Sequence, residues 1–444
     1  MGSSDDLTRN AWLKLLIEPP RFRLLCAYAL AVAACAFAYL RVIDQGNPVF
    51  FPDDYLRRST VSLLDAAFYT GNRPFTTHLF YKLCGSDPGW AVLGNRLLST
   101  IGWTLLGLAI GTKLRIGLLA FVAVPLFASA SLWWNVAGWS RVMLSEPVAL
   151  WLFPAWYASM VFLESRGGRT WRPTLAATFF FSFTKDSVAF FLLGFSLLAV
   201  LLGLRSGWNE IKRREFPMLA FVLVVFGMQT LTSRIGNRHL FPLLNVMLQR
   251  VLPNEEKSDW FQRAGAPIQR LKMGPLEWEG AWASSHEWAL FANGNYIPFK
   301  NWVQREGVGA YGRFLLFHPM LTLSEAWRNR QQIYAYDLTD YTGPPPRSLL
   351  VSAAGWLWRP ARIWLLLAAS LTALALWALK KCSGLTLAIS LGLAVNGILT
   401  YHADAMEVQR HCLLVAVGLT AAAFHQILTA FDFGFQQLQV LRKG

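Results

Sequence analysis

The stretch Phe50–Phe75, FFPDDYLRRSTVSLLDAAFYTGNRPF, follows a long apolar run. It carries two adjacent carboxylates, Asp53 and Asp54, then Tyr55 and three arginines, Arg57, Arg58 and Arg73. A carboxylate at a membrane edge can take a proton from a hydroxyl as a general base. A second one beside it can orient the first or hold a metal. Arginines present planar, multidentate donors suited to a phosphate leaving group. Each feature also has a structural reading. Asp ahead of YLRRSTVSLLDAAF is a good helix N-cap, and interfacial arginines snorkel to lipid head groups.

Three further clusters share this character. SRVMLSEP holds Arg141, Ser145 and Glu146 at the mouth of an apolar run, where Arg141 and Glu146 are simply read as a pair. TKDS sets Lys185 and Asp186 between two apolar segments, and these too can pair with each other. HADAMEVQRH gathers His402, Asp404, Glu407, Arg410 and His411. On a helix, Glu407, Arg410 and His411 share a face. His with carboxylates admits a divalent metal, although HxD is a weak signal, and nothing else in the chain asks for a cofactor. The five cysteines are scattered without CxxC spacing, so neither a disulfide framework nor a zinc site is indicated. Walker A, GxSxG and HExxH motifs are absent.

The elements that would position these residues are membrane helices. Of 444 residues, 54% are hydrophobic and 15% charged, against about 25% charged in soluble domains. The apolar residues fall in runs of roughly 17–22, the length that crosses a bilayer core, which predicts an all-α polytopic membrane protein and not a β-barrel. About ten transmembrane helices are expected, at roughly 24–42, 90–110, 115–134, 147–163, 173–184, 187–204, 216–232, 361–379, 384–400 and 412–430. The fifth and sixth are short, a tight hairpin or a re-entrant pair. The first run is long enough to span and reads as an anchor, not a cleaved leader.

Orientation follows from the loops. With the N-terminus in the cytoplasm, the inner loops carry Arg9, Lys14, Arg21 and Arg23; Lys113 and Arg115; Arg166, Arg169 and Arg172; Arg205, Lys212, Arg213 and Arg214; Lys380 and Lys381; and Arg442 and Lys443. These flanks account for the net charge of +15 without a nucleic-acid partner. All the charged clusters above then face the extracytoplasmic side, and membrane-edge charges are functional by default. Three regions result. Residues 1–232 form an N-terminal transmembrane module with a catalytic first outer loop at 43–89. Residues 233–360 form a small, mostly helical extracytoplasmic subdomain, too rich in Trp and Tyr for disorder. Residues 361–444 carry the C-terminal helices. Within the subdomain, Leu240–Leu252 is amphipathic enough to lie on the membrane surface, and TGPPPR (Thr342–Arg347) is a stiff exit.

With these residues in view, the chain resembles the GT-C class of integral-membrane glycosyltransferases. The likeness lies in a first span followed by an acidic pair, in DDYLRRSTVSLLDAAFYTGNRPFTTHLFYKL with its G-x-R-P turn, and in LSEPVALWLF and EVQRHCLLVAVGL. It covers about the first 190 residues and, more loosely, the last 45. It implies amphipathic juxtamembrane helices in the first outer loop, and transfer of a sugar from a polyprenyl-phosphate donor to a glycan, lipid or protein acceptor. The setting would be the outer face of a bacterial inner membrane, with inversion at the anomeric carbon. Asp53 or Asp54 would be the base. Tyr55 follows the pair directly, where members of the class often have a residue or two between, so the choice stays open, with Asp53 favoured. Arg57, Arg58, Arg73, Arg410 and His411 would hold the donor phosphate. Tyr55, Arg141, Glu146, Lys185, Asp186, His402 and Glu407 would line the cavity. Two other readings use the same features: a polymerase or ligase of polyprenyl-linked glycans, and a lipid-linked glycan transporter or flippase. A non-enzymatic scaffold is the bland alternative.

Overall fold

The computed structural model describes residues 21–39, 48–49, 55–71, 73–166, 171–204, 215–268, 297–334, 339–359, 371, 374–375, 384–405 and 407–441. Helix makes up 84% of it. The one extended pairing among these residues is an isolated parallel bridge between Val49 and Val142, so the all-α class holds. In chain order the first helices are α1 (Arg21–Ala38), α2 (Tyr55–Ser59), α3 (Ala66–Thr70), α4 (Phe75–Leu83), α5 (Pro88–Gly111), α6 (Gly117–Ala130), α7 (Trp134–Ala137), α8 (Glu146–Arg166), α9 (Trp171–Ser182), α10 (Asp186–Gly203) and α11 (Glu215–Ile235). Then come α12 (Leu240–Val246), α13 (Glu255–Arg263), α14 (Ile297–Trp302), α15 (Val308–Phe317), α16 (Pro319–Arg328), α17 (Arg330–Tyr334), α18 (Thr339–Thr342), α19 (Leu349–Trp358), α20 (Leu385–Ala403) and α21 (Val408–Leu441).

Among the described residues, five helices are long and apolar enough to cross a membrane: α8, α10, α11, α20 and α21. A sixth arises if α6 and the Trp134–Arg141 segment, bent by 55° to each other, count as one broken span. These helices are compatible with a multi-pass membrane protein. The run expected at 361–379 lies almost wholly outside the described residues. Helix α9, with 12 residues, is about 18 Å long and falls short of a bilayer core of about 30 Å.

The bundle core is aromatic. Trp358 of α19 packs edge-on against Trp103 of α5 at 5.4 Å, and its indole N–H donates to Ser129 Oγ of α6 at 3.0 Å. Trp156 of α8 lies edge-on to Phe191 and Phe195 of α10. At one end of the bundle, Asp432 of α21 caps α6 by accepting from the N–H groups of Arg115 and Ile116. The opposite end, where α8, α10 and α21 begin and α11 and α20 finish, carries the charged clusters and is termed the site end.

Residues 240–268 and 297–317 build a second apolar cluster around Val246, Val251, Phe261, Phe299, Val303 and Ala310. This corrects one expectation. Leu240, Leu243, Leu244, Met247, Leu248 and Val251 are buried against protein. The apolar face of Leu240–Leu252 is the spine of that cluster, not a membrane-lying surface.

Helices α5 and α6 meet through the small-residue pair Gly107 and Gly111, the spacing that lets membrane helices approach closely. A Cβ on Gly107 would sit 2.6 Å from the Ala123 carbonyl oxygen, and one on Gly111 2.8 Å from that of Ala120. Gly194 on α10 faces open space. Gly107→Val is therefore expected to cost about 1–3 kcal/mol and lower the unfolding midpoint in detergent micelles, while Gly194→Val leaves it within error. Equal midpoints for the two variants would contradict this packing.

Candidate active site

At the site end, Glu146 opens α8 and is only 4% exposed. Lys185 stands just before α10 in extended conformation, and its Nζ donates to Glu146 Oε1 at 2.7 Å. Arg410, in the first turn of α21, brings Nε to 3.7 Å from the same oxygen. Its Nη2 pairs with Glu407 Oε2 at 2.9 Å. Glu407 has φ +52°, a left-handed conformation that costs a non-glycine residue about 1–2 kcal/mol. It is held there by that ion pair and by the His411 N–H, which donates to its carbonyl. The His411 ring completes the group, with Nε2 3.3 Å from Asp404 Oδ2.

The first loop is stapled onto this centre by backbone bonds. Val49 N–H donates to the Arg141 carbonyl at 2.9 Å, and Met143 N–H to that of Val49 at 3.1 Å, three residues before Glu146. Thr76 N–H donates to the Phe183 carbonyl at 3.2 Å, two residues before Lys185. The Tyr81 hydroxyl donates to the Leu144 carbonyl at 2.7 Å. Within the loop, Lys82 donates to the Ser59 and Val61 carbonyls and closes α2 onto α4. His78 is buried beneath α3, and burial pushes its imidazole down to about 4. It is therefore neutral at pH 7, and its Nε2–H donates to the Phe68 carbonyl at 2.6 Å. On this frame the Arg73 guanidinium lies over the ring of buried Tyr55, 5.5 Å from its centroid, within electrostatic reach of His411.

Tyr55, Arg73, Glu146, Lys185, Glu407, Arg410 and His411 are thus drawn together from distant parts of the chain. Asp53 and Asp54 lie outside the described residues. Neither simple pairing expected from the sequence forms. Lys185 is extended and Asp186 begins a helix, so their side chains diverge. Lys185 goes to Glu146, while Asp186 takes Arg238, whose Nη2 is 3.1 Å from Oδ1, and Gln229, which donates at 2.6 Å. Arg141 turns away from Glu146, donates to the Thr342 carbonyl and lies over the Trp134 ring. Arg58 folds back on its own loop towards the Ala67 carbonyl at 3.4 Å, and Arg57 is exposed. His402 faces the second cluster, with Nδ1 3.5 Å from the Tyr311 hydroxyl and Nε2 3.0 Å from the Thr322 carbonyl. Among the described residues, no three His, Cys, Asp or Glu side chains stand close enough to hold a metal.

Two residues escaped the sequence reading. Arg238 binds Asp186 and also donates to the Gly71 carbonyl at 3.2 Å, where Gly236 comes so close that a Cβ would sit 2.2 Å from the Gly71 oxygen. It ties the loop two residues before Arg73 to α10 and α11. Tyr341 stacks on Trp139 at 5.4 Å and lies under Arg410. Both sit in stretches of mixed polar and aromatic residues, with no periodicity to single them out.

No family model matches the chain. No curated protein and no solved structure matches it either.

A carboxylate neutralised by an ammonium and a guanidinium is a poor proton acceptor, so Glu146 serves as an anchor that fixes two cations. Breaking a buried pair costs about 3–5 kcal/mol because the remaining charge is stranded. Glu146→Gln and Lys185→Met are each expected to lower stability by that order, and the double variant by clearly less than their sum. A double-mutant cycle on unfolding midpoints reads this out, and strict additivity would rule out the pair.

Proposed function

We propose that the protein is a membrane glycosyltransferase that moves a sugar from a polyprenyl-phosphate donor to an acceptor hydroxyl at the site end of its bundle. By the loop charges, that end faces away from the cytoplasm, and the setting is a bacterial plasma membrane crossed about ten times. The observation that carries the reading is the convergence of Lys185 and Arg410 on buried Glu146 at the edge of the spanning helices, with Arg73, over the Tyr55 ring, in electrostatic reach of the adjoining His411. There a lipid tail can stay in the bilayer while its phosphate meets cations in a low-dielectric wall, where preorganised charge is most effective.

In this reading, the acceptor oxygen attacks the anomeric carbon and the carbon–oxygen bond to phosphate breaks. The electron pair leaves with polyprenyl phosphate, and the acceptor proton passes to a carboxylate. Arg73 and Arg410 stabilise the departing phosphate. Glu146 and Glu407 orient Arg410, and Arg238 steadies the turn that carries Arg73. Asp53 and Asp54, which precede Tyr55 in the chain, are the bases proposed. Glu146 is unsuited to that role because it is already claimed by two cations. Arg57, exposed, and Arg58, which reaches the Ala67 carbonyl, stand in the same loop as further candidates for the donor phosphate.

The test is transfer from radiolabelled polyprenyl-phosphate hexoses and pentoses to membrane acceptors by the purified, reconstituted protein. Asn caps a helix about as well as Asp but cannot take a proton. At least one of Asp53→Asn and Asp54→Asn is therefore expected to lose about 10²–10⁴-fold in rate with unchanged folding. Normal transfer by the double Asn variant would make the acids helix caps. Donor flipping without transfer by the unsubstituted protein would favour a transporter.

A further inference from the structure

The helical hairpin α15–α16 leaves an apolar face uncovered. Leu316 is 79% exposed, Phe317 73%, Met320 77%, Leu323 52% and Trp327 56%. Met320, Leu323 and Trp327 fall on one side of α16, at i, i+3 and i+7. Leu316 and Phe317 end α15, one turn after exposed Arg313. The same surface is edged by exposed Arg328 and by Arg330, whose guanidinium lies 5.1 Å above the Trp327 ring. The acid of α16, Glu325, is turned away from this face into an ion pair with Lys257.

Contacts with α20 fix the height of the hairpin against a spanning helix. The Thr322 carbonyl of α16 lies 3.0 Å from the His402 ring, at the site end of α20. The chain then descends. Ile333 of α17 packs at Gly397, where a Cβ would meet it at 2.7 Å, and the Tyr334 hydroxyl donates to the Ala394 carbonyl. Ala394 is nine residues before Ala403, the end of α20, and so about 14 Å below it. A segment that runs from the tip of a spanning helix to that depth crosses the interfacial layer of the bilayer. An apolar face of Leu, Phe, Met and Trp with an arginine rim matches a helix lying in that layer.

We infer that α15–α16 is a membrane-inserted hairpin. Its Leu316–Trp327 face seats in the acyl chains of the leaflet at the site end, and Arg313, Arg328 and Arg330 take lipid phosphates. The hairpin does not span. It fastens the second apolar cluster to the membrane beside α20, whatever chemistry the site performs. The occupant is lipid and not protein, because α16 meets the spanning helix α20 at its site end and the exposed charges that α15 and α16 carry beside the face are arginines.

Photocrosslinking tests this in the full-length protein, reconstituted into vesicles of phosphatidylethanolamine and phosphatidylglycerol. Met320→benzoylphenylalanine and, as a second position, Leu323→benzoylphenylalanine are expected to gain the mass of one phospholipid on irradiation. Glu256→benzoylphenylalanine, on the exposed side of α13, is expected to gain none. Combined Arg313→Gln and Arg328→Gln substitutions should lower the phosphatidylglycerol share of the adducts by about fivefold per arginine. Crosslinks from both hairpin positions to a second copy of the chain, or lipid adducts at position 256 as frequent as at 320 and 323, would overturn the inference.

Discussion

A buried carboxylate must find cations, and at the site end it finds two that belong to different helices. Glu146 is nearly inaccessible, so leaving it unpaired would cost several kcal/mol. That requirement forces the start of α10, through Lys185, and the start of α21, through Arg410, to meet the start of α8. Three chain segments far apart in sequence are thereby locked at one height. The left-handed backbone at Glu407 is tolerated because the Arg410 pair and the first bond of α21 over-determine it. Everything else at that end is built around this ionic knot: the loop stapled at Val49 and Thr76, Tyr341 beneath Arg410, and Arg73 above Tyr55.

A second ionic contact, Asp186 with Arg238 and Gln229, works on the loop and not on the knot. It joins the start of α10 to the end of α11, and Arg238 reaches on to the Gly71 carbonyl. The close approach of Gly236 to Gly71 admits no side chain, so the turn before Arg73 rests directly on the end of a membrane helix. A loop held by backbone bonds and a buried guanidinium can present a side chain with little reorganisation, which electrostatic stabilisation of a developing charge requires.

The helical membrane character was legible because apolar runs of spanning length suit a bilayer and little else. The gathering of charges at one end was legible too, since the basic bias of the alternate loops separates the two faces. Partner choice was not. Arg141–Glu146 and Lys185–Asp186 are close in sequence, but Arg141 is drawn to the Thr342 carbonyl and Lys185 is extended where Asp186 opens a helix, so both pairings gave way to contacts with distant parts of the chain. The amphipathic pattern of Leu240–Leu252 reads the same whether its apolar face meets lipid or protein, and packing against Phe261 and Phe299 decided for protein. The converse holds at Met320, Leu323 and Trp327, whose exposure no sequence pattern announces. Arg238 and Tyr341 act through distant partners, and single residues of that kind carry no spacing signal.

The proposed chemistry turns on a phosphate held by arginines that the Glu146 knot and the first loop bring to one place. Binding of undecaprenyl phosphate to the purified protein, followed by native mass spectrometry, reads this without any sugar or acceptor. Charge-assisted hydrogen bonds contribute about 1.5–3 kcal/mol each. Arg73→Ala and Arg410→Ala should therefore each weaken binding by about ten- to a hundredfold, while Arg115→Ala, at the opposite end of the bundle, leaves it unchanged. Equal affinity for the unsubstituted protein, Arg73→Ala and Arg410→Ala would contradict the account.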